Sequence, residues 1–284
     1  TELISTRQSA VPLCHTQTSA ERLTTQIQEA MNMLTQQTIE GLRSLRLPAM
    51  AQAYAEQMAD PQTASLSFDE RLGIIVDSEI VARENKRLTR LIREARLRLN
   101  ACIEDIDYTH ARGLDRSAMA GLRTCRWIEE RLNVVITGPT GVGKSFMACA
   151  LGNLACRNGY ATRYYRLSRL LSELTLAKAD GTYMRALQRL SKIQILIIDD
   201  FGLADMSTED SRDLLEILDD RVAARSTIIA SQIPLEQWHE ALPDPTIADA
   251  ILDRVIHSAH RIKLTGESMR KILAKPEQKE LNNG

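Results

Sequence analysis

Eight consecutive residues constrain this chain more than any other part of its sequence. They match the pattern G-x-x-x-x-G-K-[ST] without a gap, between an apolar run that predicts a strand and an apolar stretch that predicts a helix. A strand, a glycine-rich loop and a helix in this order form a P-loop, whose backbone N–H groups surround phosphate. The residues are Gly138, Pro139, Thr140, Gly141, Val142, Gly143, Lys144 and Ser145.

Two side chains of this loop predict the ligands. The ammonium group of Lys144 is expected to contact the β- and γ-phosphates, and the hydroxyl of Ser145 is expected to bind Mg²⁺. Phe146 follows on the predicted helix and is included in the nucleotide site. The alternative, a glycine-rich turn with an exposed lysine, is disfavoured by the flanking strand and helix. The predicted cofactors are therefore ATP and Mg²⁺.

A pair of acids completes the predicted site. The apolar run at 195–198 ends in Asp199 and Asp200. Continuous apolar residues are typical of a strand that is buried on both faces. Beside a P-loop, Asp199 is expected to hold Mg²⁺, and Asp200 is expected to orient or deprotonate the attacking water. The alternative is a pair of exposed acids that begins a loop.

The wider pattern predicts the fold class. From Asn133 onward, short apolar runs alternate with helical patterns, which predicts an α/β fold with a parallel sheet flanked by helices. Upstream, apolar residues recur at helical spacing from Glu21 to Leu47, and a capping box at Ser67 predicts a second helix from about Phe68 to Leu99.

Four segments are predicted along the chain. They are a disordered N-terminus at 1–20, a small all-helical domain at 21–115, the α/β domain at 116–275 and a flexible tail at 276–284.

Composition limits the cell compartment and the partners. The formal net charge is −1, so affinity for nucleic acid must come from local basic patches. The five cysteines include no C-x-x-C pair, which favours a reducing cytosol over a disulfide framework or a zinc ribbon. No apolar run approaches the roughly 18 residues of a membrane helix. The sequence therefore predicts a cytoplasmic protein that does not associate with membranes.

One basic patch lies within the second predicted helix. Its positive side chains are opposed by only Glu84 and Glu94 and are not confined to one helical face. This distribution favours contact with a phosphate backbone over the reading of bases. The alternative is a well-solvated helix that packs on its own ATPase domain. The residues predicted to contact a polyanion, which the family resemblance described below identifies as DNA, are Arg83, Lys86, Arg87, Arg90, Arg93, Arg96 and Arg98.

Several segments together resemble the AAA+ ATPases, and within them the IstB/DnaC-like branch of the initiator clade. They are LRLPAMAQAY, SFDERLGIIVDSEIVARENKRL, RGLDR, LIIDDFG and DPTIADAILDRVIHSAHRIKLTGESMRK, which lie between Gly41 and Lys271. The combination is similar to the IstB-like helper ATPases that accompany the transposase of bacterial insertion sequences. This resemblance implies a DNA-binding N-terminal region and an ATP-bound homo-oligomer that grips duplex DNA and assists a transposase.

The resemblance also implies roles for three further residues. Gln232, with Ser231 as the next candidate, corresponds to the polar sensor of the γ-phosphate, unless it is an ordinary exit from a strand. Arg270 corresponds to a second sensor that contacts nucleotide in the same subunit, unless it belongs to a solvated basic tail. Arg254 corresponds to an arginine finger that reaches the ATP of a neighbouring subunit. The alternative for Arg254 is a surface ion pair with Asp249 or Asp253.

Two departures from the family pattern affect the expected activity. Asp200 stands where most AAA+ enzymes carry glutamate, and its shorter side chain predicts slow, switch-like hydrolysis. The residues after the last predicted strand are too few for a full lid domain, so none is expected.

Three functions remain open at this stage. The first is an ATP-dependent DNA-binding ATPase that assists a transposase in choosing target DNA. The second is a DnaC-like loader of a replicative helicase, and the third is a metabolic P-loop kinase. The pair Asp199 and Asp200, the segment at 112–116 and the segment at 244–254 favour the first.

Overall fold

The computed structural model describes residues 19–269 and Lys271. Contacts divide the chain into two units, and the division falls between Asn85 and Lys86. The segment boundaries predicted from the sequence remain expectations. Most of the predicted disordered N-terminus and all of the predicted tail lie outside the described residues, whereas Ser19 and Ala20 begin a helix. Within the described ranges, no helix combines the length and the apolarity needed to cross a membrane.

Three helices dominate the chain before the P-loop domain: α1 at Ser19–Ser44, α2 at Pro48–Ala59 and α3 at Phe68–Ala95. The predicted capping box opens α3, because the Ser67 hydroxyl accepts the Glu70 N–H at 3.3 Å and the Glu70 carboxylate accepts the Ser67 N–H at 2.8 Å. The carboxylate of Glu79 accepts the N–H groups of Ala49 and Met50 at 2.9 and 3.2 Å. Helix α3 therefore supplies the cap of α2.

Helix α3 ends at Ala95 rather than at Leu99 as the sequence pattern predicts. Arg96 adopts a left-handed conformation with φ of 49°, which stops the helical hydrogen bonding at this point. Arg96 and Arg98, both predicted on the basic helix, therefore lie in the segment that follows it.

The second unit contains the predicted alternation of strands and helices. Its five strands are parallel and stand in the order β2-β3-β4-β1-β5. The α/β fold class is confirmed. The remaining elements are α4 Arg116–Arg123, α5 Arg126–Glu129, β1 Asn133–Thr137, α6 Lys144–Arg157, β2 Thr162–Arg166, α7 Leu167–Ala179, α8 Tyr183–Lys192, β3 Ile195–Phe201, α9 Thr208–Asp219, β4 Ser226–Ser231, α10 Pro245–Ile256 and β5 Ala259–Lys263.

Helices cover both faces of this sheet. Val134 and Ile136 of β1 pack in one apolar cluster with residues of α4, α5 and α6. Val135, which points to the opposite face, packs in a second cluster with residues of α7, α8, α9 and α10. Burial on both faces explains why the strands read as continuous apolar runs. The polar residues at the strand ends are therefore left at the carboxyl edge of the sheet, where ligands bind in this class of fold.

The opposite edge of the sheet is held by a buried arginine. The guanidinium group of Arg221 is 1% exposed and donates to the carbonyl oxygens of Leu190, Ile193 and Ser226 at 2.7, 2.8 and 2.5 Å. It also donates to the hydroxyl of Thr227 at 3.0 Å. These bonds tie the end of α8 to the start of β4.

Replacement of Arg221 should destabilise the fold without touching the nucleotide site. We expect Arg221→Ala to lower the free energy of unfolding by at least about 3 kcal/mol, because several buried carbonyl groups lose their donor. Urea unfolding followed by circular dichroism measures this loss. The exposed Arg225, which donates only to the adjacent Ala224 carbonyl among the described contacts, gives a matched Arg225→Ala control that should cost less than about 0.5 kcal/mol. Equal losses in the two variants would contradict this role.

Candidate nucleotide site

Three neighbouring strand ends bring the predicted residues together. Strand β4 lies between β1 and β3, so Gln232 lies between the P-loop and the acids. The Thr140 hydroxyl donates to the Gln232 side-chain oxygen at 2.6 Å, which fixes Gln232 against the P-loop. The Ser231 hydroxyl instead donates to the buried Phe201 carbonyl at 2.8 Å. Of the two sensor candidates, Gln232 is the one that faces the site.

The P-loop backbone adopts conformations that require glycine. Gly138 has φ of 151°, and a Cβ atom there would lie 2.3 Å from the Leu264 carbonyl oxygen. Gly143 has φ of 104° and caps the N-terminus of α6. The positive end of the α6 dipole therefore lies at this loop, where it favours an anion. The ammonium group of Lys144 donates to the Pro139 carbonyl at 2.8 Å.

This loop forms one wall of a cavity of about 580 Å³, a volume typical of small-molecule sites. Thr140, Lys144, Ser145 and Phe146 line the cavity on the P-loop side, and Asp200 and Gln232 line it on the side of β3 and β4. The cavity therefore collects predicted residues from the ends of three different strands, whereas Asp199 is not among the described residues that line it.

Asp199 is a buried carboxylate that is fully compensated. It is 1% exposed, and its oxygens accept the Tyr164 hydroxyl at 2.6 Å and the Asp200 N–H at 2.9 Å. Burial and the bond to Asp199 together raise the pKa of Tyr164 far above its usual value, so the phenol stays a donor at neutral pH. These two hydrogen bonds fix the orientation of the Asp199 carboxylate.

Asp200 is presented to the cavity by an irregular strand end. The pairing of β3 with β4 shifts between Ile198 and Phe201, and Asp200 has φ of 60°, which is uncommon for a residue other than glycine. The side chain of Asp200 is 24% exposed. Backbone strain of this kind is common where a catalytic side chain must be aimed.

Two arginines lie against these acids. Arg98 approaches Asp199 at 3.8 Å and Asp200 at 3.7 Å, and Arg166 approaches Asp200 at 3.5 Å. Burial lowers the pKa of Arg98, but its bond to Tyr164 and the two carboxylates outweigh that effect and raise the pKa overall. The sequence interpretation placed Arg98 on a DNA-binding helix. The structure places it at the nucleotide cavity, because the chain turns at Arg96.

Sequence reasoning missed two arginines at this site. Arg166 ends β2 in register with Asp199, so its position follows from strand pairing rather than from a motif. Arg112 is buried beneath the P-loop, where it donates to the Val142 carbonyl at 3.3 Å and to the Asp107 carbonyl. Its Nε atom has no partner within the described part of the chain. Arg112 belongs to the RGLDR segment, which the sequence marked only as a family resemblance.

The remaining predicted residues lie away from the cavity or outside the described residues. Arg254 of α10 donates to the Asp219 carboxylate and to the Ala250 carbonyl at 2.8 Å, so its ion pair is with neither acid predicted from the sequence. It is not among the described residues that line the cavity. Arg270 lies outside the described residues. The nearby Met269 N–H donates to the Gly141 carbonyl at 2.9 Å.

The predicted basic residues on α3 are solvent-facing. Lys86, Arg90 and Arg93 are exposed. Arg83 is 61% exposed and pairs with Glu79 at 2.9 Å, and Arg87 donates to the Gly159 carbonyl at 3.2 Å. These positions leave cationic groups in contact with solvent.

The donor chemistry of the site fits Mg²⁺. Magnesium prefers oxygen ligands, and in nucleotide sites it takes one or two from the protein and the rest from phosphates and water. The Asp199 carboxylate and the Ser145 hydroxyl provide this set. Burial raises the pKa of the nearby Cys149 thiol, so this side chain stays neutral and packs in the core.

Comparisons with known sequences identify the family of this chain. The family described as IstB-like ATP binding protein matches residues 40–276. A Sinorhizobium fredii protein named as an insertion sequence ATP-binding protein is 45% identical over 239 residues, which cover 84% of this chain and 98% of that protein. A Pseudomonas fluorescens protein named in the same way is 49% identical over 203 residues, which cover 71% of this chain and 88% of that protein.

Solved structures agree with the fold. DnaI has a TM-score of 0.52 at 20% identity, over 62% of this chain and 94% of its own. The AMPPCP-bound DnaA of Aquifex aeolicus has a TM-score of 0.50 at 18% identity, over 62% of this chain and 53% of its own. At 18–20% sequence identity, the similarity to these two structures shows a shared fold and nothing about function. The α/β unit therefore has the fold of AAA+ P-loop domains.

The bond between Tyr164 and Asp199 makes a testable contribution to stability. We expect Tyr164→Phe to lower the free energy of unfolding by about 1.5–3 kcal/mol, because a buried charged acceptor loses its donor. The matched control is Tyr160→Phe, which removes an exposed bond to Glu129 of 3.1 Å and should cost under about 1 kcal/mol. Urea denaturation of both variants provides the comparison. A loss in Tyr164→Phe no larger than in the control would show that Asp199 does not depend on this phenol.

Proposed function

Because this chain belongs to the family of IstB-like ATP-binding proteins, we propose that it is an ATP-dependent DNA-binding ATPase of an insertion sequence. On this proposal it assembles on duplex DNA and assists a partner transposase in selecting target DNA. The observation that carries the proposal is a complete P-loop cavity in which Lys144, Gln232 and Asp200 line one volume. The relatives' names, which combine ATP binding with insertion sequences, support the biological setting.

We propose a role for each side chain around bound ATP. The N–H groups of the P-loop and the ammonium of Lys144 would hold the phosphates, and Ser145 and Asp199 would hold Mg²⁺. When bound, Mg²⁺ would neutralise part of the negative charge of the phosphates. Asp200 would orient or deprotonate the attacking water, and Gln232 would contact the γ-phosphate. The short Asp200 side chain supports slow, switch-like turnover.

The role of Arg254 depends on assembly. Its side chain lies on α10 with Asp219, and it does not line the cavity of its own chain among the described residues. An arginine in such a place can stabilise the transition state only at a neighbouring subunit. We therefore propose a homo-oligomer whose active sites lie between subunits. Arg270 is proposed as the second nucleotide sensor on the family resemblance alone.

DNA binding is proposed for the exposed cations of α3. Lys86, Arg87, Arg90 and Arg93 lie on the last turns of this helix and face solvent. Cations spread around a helix suit a phosphate backbone, and such binding weakens steeply as salt concentration rises. Arg83 is also proposed as a contact, although its pairing with Glu79 reduces the charge it presents.

The first test measures binding to labelled duplex and single-stranded DNA by fluorescence anisotropy, with and without ATP, across a salt series. We expect tight, ATP-dependent and salt-sensitive binding to duplex. Lys144→Ala should abolish binding of a fluorescent ATP analogue and lower duplex affinity at least about tenfold, because the phosphates lose their main cationic partner. The matched control is Lys192→Ala, at the end of α8. A clear preference for single strands would instead favour helicase loading.

A subunit-mixing experiment tests the intersubunit site. Arg254→Ala and Asp200→Asn should each lower ATP turnover at least about a hundredfold while leaving affinity for a fluorescent ATP analogue within about threefold, since each acts on the transition state. Mixed oligomers of the two variants should regain measurable turnover, because some interfaces combine an intact Asp200 with an intact Arg254. Arg261→Ala, on β5, serves as the charge-matched control. Failure of every mixing ratio to restore turnover would place Arg254 outside the active site.

A further inference from the structure

A second cavity, of about 300 Å³, lies beside the edge strand β2. Arginines dominate its lining, and we call it the arginine cavity. Its lining residues are Arg96, Arg98, Arg163, Arg166 and Arg169, together with Tyr164, Tyr165 and Glu173. The segment after α3, strand β2 and the start of α7 each contribute to it.

The residues that line this cavity carry a large excess of positive charge, although Asp199 and Asp200 lie against Arg98 and Arg166 from outside it. Glu173 is the only acid among its lining residues, against five arginines. Arg96 and Arg169 have no ion-pair partner within residues 19–269. Converging guanidinium groups repel one another unless an anion lies between them. Their planar donor forks match the oxygens of a phosphate.

Contacts with the protein hold one guanidinium group of the cavity, that of Arg163, in a defined orientation before any ligand binds. Arg163 donates to the Glu94 carbonyl at 2.9 Å, and its guanidinium lies 5.3 Å from the centre of the Tyr165 ring. These contacts hold one member of the cavity in place without neutralising its charge. Arg96 and Arg169 are exposed, so the cavity can be reached from solvent.

The neighbouring residues favour a polymer over a free phosphate. Arg163 touches the last turn of α3 through Glu94. The exposed Arg93 lies in this last turn and the exposed Arg90 lies about one turn earlier, so the helix carries further cations close to Glu94 in the chain. A single phosphate would use only the cavity, whereas a nucleic-acid backbone presents phosphates at regular intervals and would also engage the helix.

Arg98 links this cavity to the nucleotide site, because it lines both. Its distances to Asp199 and Asp200, 3.8 and 3.7 Å, exceed those of a direct hydrogen bond. A phosphate in the arginine cavity would offer shorter, charge-assisted contacts to the same guanidinium. Movement of Arg98 toward it would remove a competing cation from the acids.

We propose that the arginine cavity binds a backbone phosphate of duplex DNA, and that Arg98 moves toward this phosphate and leaves Asp199 available to Mg²⁺–ATP, while Arg166 stays beside Asp200. The inference rests on the proposed DNA-binding function and adds to it a site and a route by which DNA reaches the catalytic acids. In this scheme Arg98 is a positioning residue.

The binding half of the proposal is tested with two charge-matched double variants. One is Arg96→Gln with Arg169→Gln, which removes two unpaired cations from the arginine cavity. The control is Arg185→Gln with Arg189→Gln, which removes two exposed cations from α8. We expect the cavity variant to lower the salt slope of duplex binding by about 1–2 and the affinity about tenfold or more, with binding of the ATP analogue unchanged. Equal behaviour of the two variants would overturn the proposal.

The coupling half is tested through the Mg²⁺ requirement for binding a fluorescent ATP analogue. In the wild type, a saturating short duplex should lower the Mg²⁺ concentration for half-maximal binding severalfold. Arg98→Ala should need little Mg²⁺ with or without duplex, and Arg98→Lys should restore part of the response. The control is Arg157→Ala, whose partner is the exposed Glu104. An undiminished duplex effect in Arg98→Ala would overturn the coupling.

Different results would overturn the proposed DNA-binding function and the proposed role of the arginine cavity. A wild-type chain that does not bind duplex DNA at all would overturn the proposed function and, with it, the arginine cavity as a DNA site. A wild-type chain that binds duplex normally, with the cavity variant matching its control, would overturn the cavity alone and leave α3 as the binding surface.

Discussion

The nucleotide site depends on the burial of one negative charge, that of Asp199 at the end of β3. A carboxylate that is 1% exposed is tolerated only where donors and cations replace the water it has lost. Tyr164 and the Asp200 backbone N–H provide the donors, and Arg98 provides the positive charge. Because Tyr164 comes from β2 and Arg98 from the segment after α3, this compensation ties three separate stretches of the second unit to the place where Mg²⁺ is expected.

The order of the sheet makes this arrangement possible. With β4 between β1 and β3, the P-loop and the acids stand apart by one strand, which leaves room for a nucleotide and places Gln232 between them. The acids also lie next to the edge strand β2, so the cations of Arg166 and Arg98 approach them from the side opposite the P-loop. The same strand order therefore places the cavity lined by the P-loop on one side of the acids and the arginine cavity on the other.

The parts of the site that the sequence predicts are those encoded by neighbouring residues. The P-loop, the acids at the end of β3 and the polar residue after β4 all follow apolar runs that predict strands, and such patterns are local. Arg98 could not be assigned in this way, because arginine is a good helix former and nothing nearby indicates that the chain turns left-handed at Arg96. Arg112 and Arg166 reach the cavity only through tertiary packing and strand pairing. The fold class could be predicted from the sequence because it too depends on local strand and helix patterns. The end of α3 could not be predicted, because no local pattern marks it.

The long distances between Arg98 and the two acids have a functional consequence. Its side chain is 32% exposed and stands beyond hydrogen-bond distance from both acids, so neither ion pair holds it in one fixed geometry. A free-energy change of about 1.4 kcal/mol shifts an equilibrium tenfold. A ligand that binds Arg98 only modestly more tightly than the acids do is therefore enough to shift the Arg98 side chain from the acids to that ligand. A shorter ion pair would keep Arg98 bound to the acids. The long pair allows Arg98 to exchange the acids for a phosphate in the arginine cavity.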